Sequence, residues 1–394
     1  MKRPAPFSRH EYHRRIALLQ AELANANLDA FLAFTSSWFR SPGAVRYCCG
    51  YDSIFGSAVF LLVPSRGEQH LLVNNFWDVI GRPEETEREL QEFHLVDDLG
   101  EGVSNILAWE ARRLGVVGER HMPAPIYVSL KAALPAVEMV DATPQLDAVR
   151  EVKSDEELSW LRYNAALSDA AAQTFLTLCC AGISEKEVAD EMLHSARKAG
   201  ADRFWTPISV ASGPRTALYY ALPTERTMQP GDIVHMDCGA MSGGYHGDIQ
   251  RALILPGERP ARCDKLVGAV LAIQDHLVEA IRPGMTAGAV AELFAHLTDE
   301  AGFSDCLHPK ARQGEVVVGH GIGSDGHESP ALIVGNDKIL RAGMVVTLEP
   351  MLFIPGVGGA GVEDMVLITA DRGCRLTGAP RWHPAKEVHD EPNQ

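Results

Sequence analysis

Residues 231–251 read GDIVHMDCGAMSGGYHGDIQR, and the reading of this stretch decides the rest. Asp237 closes a run of strand-forming residues, and Asp248 opens a second run, IQRALIL. Between them MSGGYHG supplies Gly243, Gly244 and Gly247, the backbone freedom that a tight turn needs. A hairpin therefore returns the second carboxylate beside the first. A single aspartate in a glycine-rich loop is ordinarily a turn or cap residue. Three later residues make that account insufficient: His320 in GHGIGSDGHESP, Glu349 in VVTLEP and Glu363 in GVEDMV. Packed together, four carboxylates repel one another and resist ionisation. With one neutral imidazole they carry about −4, which two divalent ions offset. Carboxylate and imidazole suit Mn²⁺, Co²⁺, Fe²⁺ or Zn²⁺. The five residues predict a two-metal hydrolytic centre.

Three neighbours read differently. His235 lies two residues before Asp237 and shares its strand face, as a packed or supporting histidine. His246, beside Asp248, reads as a loop residue. Cys238 points to the opposite face from Asp237 and reads as packing rather than as a nucleophile.

Length and composition bound the setting. A chain of 394 residues exceeds one ordinary core and predicts two or three domains. A formal net charge of −16 argues against a nucleic-acid partner, which selects a basic face. No run of about 18 apolar residues is present, so no membrane span is expected. The N-terminal MKRPAPFSRHEYHRR has no apolar stretch behind its basic residues and is not read as a secretory signal. Eight cysteines are scattered, two pairs of them adjacent in sequence, with no CxxC spacing. That usage predicts reduced thiols and a cytoplasmic protein.

Along residues 1–150, helix and strand patterns alternate. Ser8 and Glu11 form a capping box before an amphipathic run. LDAFLAF (28–34), SAVFLLVP (57–64) and HLLVNN (70–75) read as strands. A charged helix is expected over residues 83–93, then a strand HLVDD, a helix from about Val103, and strands LGVVGE and VEMVDAT. The expectation is an α/β domain with a substantially parallel sheet and no phosphate-binding glycine loop. The boundary falls in AVREVKSD (148–155). Residues 151–394 open with two capping boxes, Ser154/Glu157 and Ser184/Glu187. Grouped strands then alternate with helices over 262–281 and 287–301, which predicts an α+β domain with an antiparallel sheet.

DCGAMSGGYHGDIQR, GHGIGSDGHESP, TLEP and GVEDM resemble, in order, the signatures of the pita-bread metallohydrolase superfamily. That group includes Xaa-Pro dipeptidase, aminopeptidase P, methionine aminopeptidase and creatinase. The resemblance covers nearly the whole chain, with 1–150 similar to the N-terminal domain of the prolidase and creatinase branch. AVRYCCGYD (44–52) resembles that branch's Asn-x-x-Tyr-x-x-Gly stretch, with Ala44 in place of asparagine. The resemblance implies that Asp237 chelates the first metal and that Asp248 and Glu363 bridge both. It implies that His320 and Glu349 bind the second, with Glu349 also passing a proton to the leaving nitrogen. His327 matches the family histidine that contacts the substrate carbonyl or oxyanion. A homodimer is also implied, and manganese as the first choice of ion.

Two positions depart from the family pattern. Tyr220 stands where relatives carry a histidine, and Gly361 stands where peptidases carry an arginine two residues before the glutamate. With an ordinary pKa near about 10, tyrosine is a poor base but still a hydrogen-bond donor. Tyr220, Arg215 and Tyr219 are the residues expected to shape the substrate pocket. The leading expectation is hydrolysis of an amide or peptide C–N bond in a small peptide, with an Xaa-Pro dipeptide first. A catabolic enzyme for a small non-peptide compound, of the creatinase, ectoine hydrolase or dimethylsulfoniopropionate lyase kind, is the alternative. A binding module without chemistry is the third.

Overall fold

Strand residues that are apolar on both faces must be covered on both, and AFLAFTS shows the consequence. In the computed structural model, Phe31 and Ala33 enter one core cluster, while Ala30, Leu32 and Phe34 enter another on the opposite face. The structure describes residues 1–36, 43–51, 58–76, 91–107, 111–308 and 315–381. Two compact units form: Ala5–Arg150, and Glu151–Gln394 together with Met1–Pro4.

The first unit is a six-stranded sheet between helices. Its strands are β1 (Ala30–Ser36), β2 (Ala58–Pro64), β3 (Gln69–Val73), β4 (Gln91–Leu95), β5 (Arg113–Val117) and β6 (Glu138–Asp141), in the order β4-β3-β2-β1-β5-β6. Among the described residues, helices α1 (Arg9–Asn25), α2 (Ala44–Cys49), α3 (Leu99–Leu107), α4 (Ala124–Ala133) and α5 (Thr143–Arg150) accompany it. The sheet is mixed rather than substantially parallel. β1–β5, β5–β6 and β3–β4 are parallel, whereas β1–β2 and β2–β3 are antiparallel. The cause is local: the short SRGE turn between β2 and β3 permits only a hairpin, and parallel neighbours need a longer crossover. Residues 83–90 of the expected charged helix lie outside the described residues, and residues 91–93 are strand. The HLVDD strand is therefore shifted, and Asp98 instead accepts from Glu101 N at 2.9 Å at the start of α3. Ser8 caps α1 by accepting from Glu11 N, and the Glu11 carboxylate accepts from Arg14 and Arg15.

The second unit opens with α6 (Asp155–Leu178) and α7 (Glu185–Ala199), and both capping boxes form with both halves present. Each such cap is worth about 1 kcal/mol. Every strand pairing that follows is antiparallel. β8 (Ser209–Ser212), β9 (Ile233–Cys238) and β12 (Ile249–Ile254) make one sheet; β7 (Arg203–Phe204), β10 (Ala240–Ser242) and β11 (Tyr245–His246) make another. β13 (Val317–Gly321), β14 (Glu328–Ile333), β15 (Val345–Leu348), β18 (Asp364–Ile368) and β19 (Gly373–Arg375) form a five-stranded sheet, and β16 (Met351–Ile354) pairs with β17 (Gly358–Gly361). Helices α8 (Ala261–Ala280) and α9 (Ala287–Glu300) pack Leu266, Val270, Leu277, Val290 and Phe294 into the core beneath Val318, Val346 and Ile368. Among the described residues no helix is long and apolar enough to cross a membrane.

The hairpin expected between Asp237 and Asp248 is more elaborate than a turn. β9 and β12 do pair, with Asp237 opposite Gln250 and Cys238 opposite Ile249. Between them β10 and β11 fold out as a hairpin of their own, turning at Gly243 and Gly244. Both glycines have positive φ, 61° and 78°, as a type I′ turn demands.

Candidate metal centre

Strand register puts the first two carboxylates together. Gln250 faces Asp237 across the ladder, and Asp248, two residues earlier, lies on the same face just before β12 begins. A single bridge joins this sheet to the five-stranded one: Glu363 N donates to Gln250 O at 3.0 Å. That contact brings Glu363 beside the aspartates. Its strand is fixed by the buried Arg251, which donates to Glu363 O at 2.6 Å and to Asp364 Oδ1 at 2.7 Å. Glu349 follows β15 and donates its N–H to Val318 O at 2.9 Å, so it projects beside His320 of β13. His320 Nε2 lies 3.6 Å from Glu349 Oε1 and 3.8 Å from Asp248 Oδ2. Asp248, His320 and Glu363 offer ligand atoms within 4.8 Å of one another.

The chemistry of this cluster is that of a cation site. His320 Nδ1 sits 2.9 Å from Gly321 O, so it carries the proton and Nε2 presents a lone pair. Burial, and then the neighbouring His327, lower the His320 pKa to about 3, so the ring stays neutral. A neutral Nε2 lone pair aimed at two carboxylate oxygens is repulsive without a positive charge between them. Burial raises Asp237 to about 7, and burial with the Asp237 charge raises Glu349 to about 8. Asp248 and Glu363 are pushed up by burial and then by the other carboxylates around each. Among the described residues, Glu363 Oε1 is buried with no hydrogen-bond partner. Four carboxylates, one imidazole lone pair and an orphaned oxygen fit divalent ions.

The surrounding residues divide into those near the cluster and those elsewhere. The His327 ring stands edge-on to His320, centroids 4.0 Å apart, and burial lowers its pKa. Tyr219 has its hydroxyl pKa raised by the Glu349 charge first, then by burial and the charges of Glu363, Asp237 and Asp248. Tyr220 instead donates its hydroxyl to Pro207 O, a backbone contact. Arg215 departs from its expected place in the pocket: it pairs with the buried Glu185 at 3.1 Å and donates to Leu222 O, tying the turn after β8 to α7. His246 is in strand β11, with Nδ1 2.9 Å from Gly323 O, not in a loop. His235 is buried with neither ring nitrogen partnered among the described residues, and its pKa is lowered to about 4, by burial. Cys238 is fully buried and burial raises its thiol pKa, which suits packing.

Gly361 has a structural reason. A Cβ there meets the Gln250 amide oxygen, so the Gln250 side chain fills the space beside the glutamate-bearing strand. The two positions, 111 residues apart in sequence, are adjusted to one another.

Two neighbours of the cluster carry no signal in sequence. Trp205 stands edge-on to His327, centroids 5.2 Å apart, and donates Nε1 to Gly247 O at 3.0 Å. Its indole is seated over Gly239 and Gly326, where any Cβ collides with it. His308 stacks edge-on between Tyr219 and Phe353, at 5.3 Å and 6.1 Å. Neither residue lies in a motif. Removing the indole frees the His327 ring: Trp205→Ala is expected to lower kcat roughly tenfold to a hundredfold while metal content stays unchanged. Unchanged kcat in steady-state assays of the metal-loaded variant would contradict that positioning role.

Comparisons with known proteins agree with this geometry. Residues 159–370 match the family model for metallopeptidase family M24, and residues 15–152 match the creatinase/prolidase N-terminal domain. The Xaa-Pro dipeptidase of Pyrococcus horikoshii is 26% identical over 356 residues, covering 90% of this chain and 94% of that protein. Among solved structures, the Xaa-Pro dipeptidase from Bacillus anthracis superposes with a TM-score of 0.81 at 27% identity, over 94% of this chain and 98% of that one. The dipeptidase PepE from Mycobacterium ulcerans gives 0.82 at 26%, over 96% and 99%. Taken with the buried acidic cluster, these matches show that the chain belongs to metallopeptidase family M24 and is a metal-dependent peptidase with a creatinase/prolidase N-terminal domain.

Proposed function

We propose that this chain is a dipeptidase for Xaa-Pro peptides, working with two divalent ions held by Asp237, Asp248, His320, Glu349 and Glu363. The observation that carries the reading is the His320 Nε2 lone pair facing the carboxylates of Asp248 and Glu349. Manganese is the first choice of ion, since four of five ligands are hard carboxylates. Divalent ions held by these residues would supply polarisation of the substrate carbonyl and a water acidic enough to act as nucleophile at neutral pH. Glu349 would accept the proton released by that water and deliver it to the leaving nitrogen. His327 donates a hydrogen bond to the oxygen of the tetrahedral intermediate, held in place by Trp205. Tyr219, His308 and Phe353 form an aromatic wall against which a small apolar side chain or a prolyl ring packs. A cytoplasmic homodimer belongs to the same proposal.

The test is proline release from a panel of Xaa-Pro dipeptides by manganese-reconstituted protein. Metal-dependent release is the expected result. Metal-loaded protein that releases no proline but cleaves another small amide would overturn the Xaa-Pro assignment. It would favour the small non-peptide substrate to which Tyr220 and Gly361 point.

A further inference from the structure

The N-terminal sheet carries a second set of ligand-type side chains, far in sequence from the catalytic cluster. β3 and β4 run parallel with His70 opposite Glu92 and Leu72 opposite His94. Side chains two apart on a strand share a face, so His70, Glu92 and His94 project together. Among the described residues β4 is the outermost strand of this sheet. Elsewhere the same face is apolar, with Leu62 and Leu72 in the core cluster. Three polar groups therefore interrupt a buried pattern at the edge.

Their geometry is that of converging donors. His70 Nδ1 lies 3.2 Å from His94 Nε2 and 3.3 Å from Glu92 Oε2, and His94 Nε2 lies 3.8 Å from Glu92 Oε2. All three atoms fall within 4.8 Å of one another. Ligand bonds of about 2.0–2.2 Å around a tetrahedral zinc ion place neighbouring donors about 3.3–3.5 Å apart. The observed triangle brackets that spacing. Burial lowers the His70 pKa, against the opposing charge of Glu92. The side chains of His70, His94 and Glu92 are 16%, 30% and 57% exposed, so the triangle is anchored on one side and open to solvent on the other.

We propose that His70, Glu92 and His94 form a mononuclear site for a borderline divalent transition ion, zinc first, with solvent at the open position. Two imidazoles and one carboxylate favour zinc, cobalt or nickel over magnesium or calcium. Here the donor set is richer in nitrogen than in the catalytic cluster, so the two sites differ in ion preference. A bound ion ties β4 to β3 and stabilises the sheet edge. This site is independent of the peptidase reading.

The test uses full-length protein equilibrated with zinc, passed through gel filtration and analysed for metal. Glu92→Gln and His94→Gln keep side-chain size at partly exposed positions, and Asp248→Asn serves as the catalytic-site control. The expected result is that each of the first two variants retains about one zinc ion fewer per chain than the native protein. Their manganese-dependent peptidase activity stays unchanged. Zinc is also expected to raise the melting temperature of Asp248→Asn but less that of Asp248→Asn/His94→Gln. Equal zinc content in native and His94→Gln protein would overturn the proposal and leave the three side chains as polar protection of a strand edge.

Discussion

Replacing Asp248 with asparagine is expected to lower kcat for dipeptide hydrolysis by on the order of a hundredfold to a thousandfold, the scale of losing one electrostatic stabiliser of the transition state. Asparagine keeps the volume but removes a charge from the face shared with Asp237 and opposite His320 Nε2. The same substitution is expected to act with the opposite sign on stability. In the metal-free protein Asp248 is a buried carboxylate beside Asp237 and Glu349, each of which resists its ionisation. The amide relieves that repulsion, so metal-free Asp248→Asn melts above metal-free native protein. A variant that holds full metal and works at the full rate would remove Asp248 from the centre. Paired activity assays and thermal melts decide it.

Metal removal should make stability depend steeply on pH. Unfolded, these carboxyls titrate near about 4. Folded and metal-free, Asp237 is raised to about 7 and Glu349 to about 8, so between those limits the folded state binds more protons than the unfolded chain. Linkage then requires stability to fall as pH rises. His320 and His235, lowered to about 3 and about 4, work the other way, but only below the ordinary histidine value of about 6.5. Above that pH the carboxylates act alone. Melting temperature of chelator-treated protein should therefore drop from about pH 6.5 to about pH 8 and recover on adding divalent ion. A melting temperature that stays flat across this interval, with or without metal, would contradict the electrostatic account of the centre.

Much of this was legible from local chemistry. The capping boxes at Ser154 and Ser184 form because both partners lie within one helical turn. The metal cluster could be proposed because four carboxylates and a histidine in glycine-rich turns have few other uses. What escaped was set by partners distant in sequence. Arg215 is claimed by Glu185, and Gly361 is explained only by the Gln250 side chain folded over it. Trp205 and His308 stand in no motif, and only folding brings them beside His327 and Tyr219. The sheet direction failed for a different reason: alternating helices and strands read as parallel crossovers, whereas β2 pairs antiparallel with both β1 and β3.

The most direct test of the central claim is a manganese titration of metal-free protein in the His94→Gln background, following bound metal and peptide hydrolysis together. Activity is expected to rise with occupancy and level off at about two ions per chain, and Asp248→Asn neither fills nor turns over in this way. Full activity with no bound divalent ion, or a site that binds none at saturation, would contradict it.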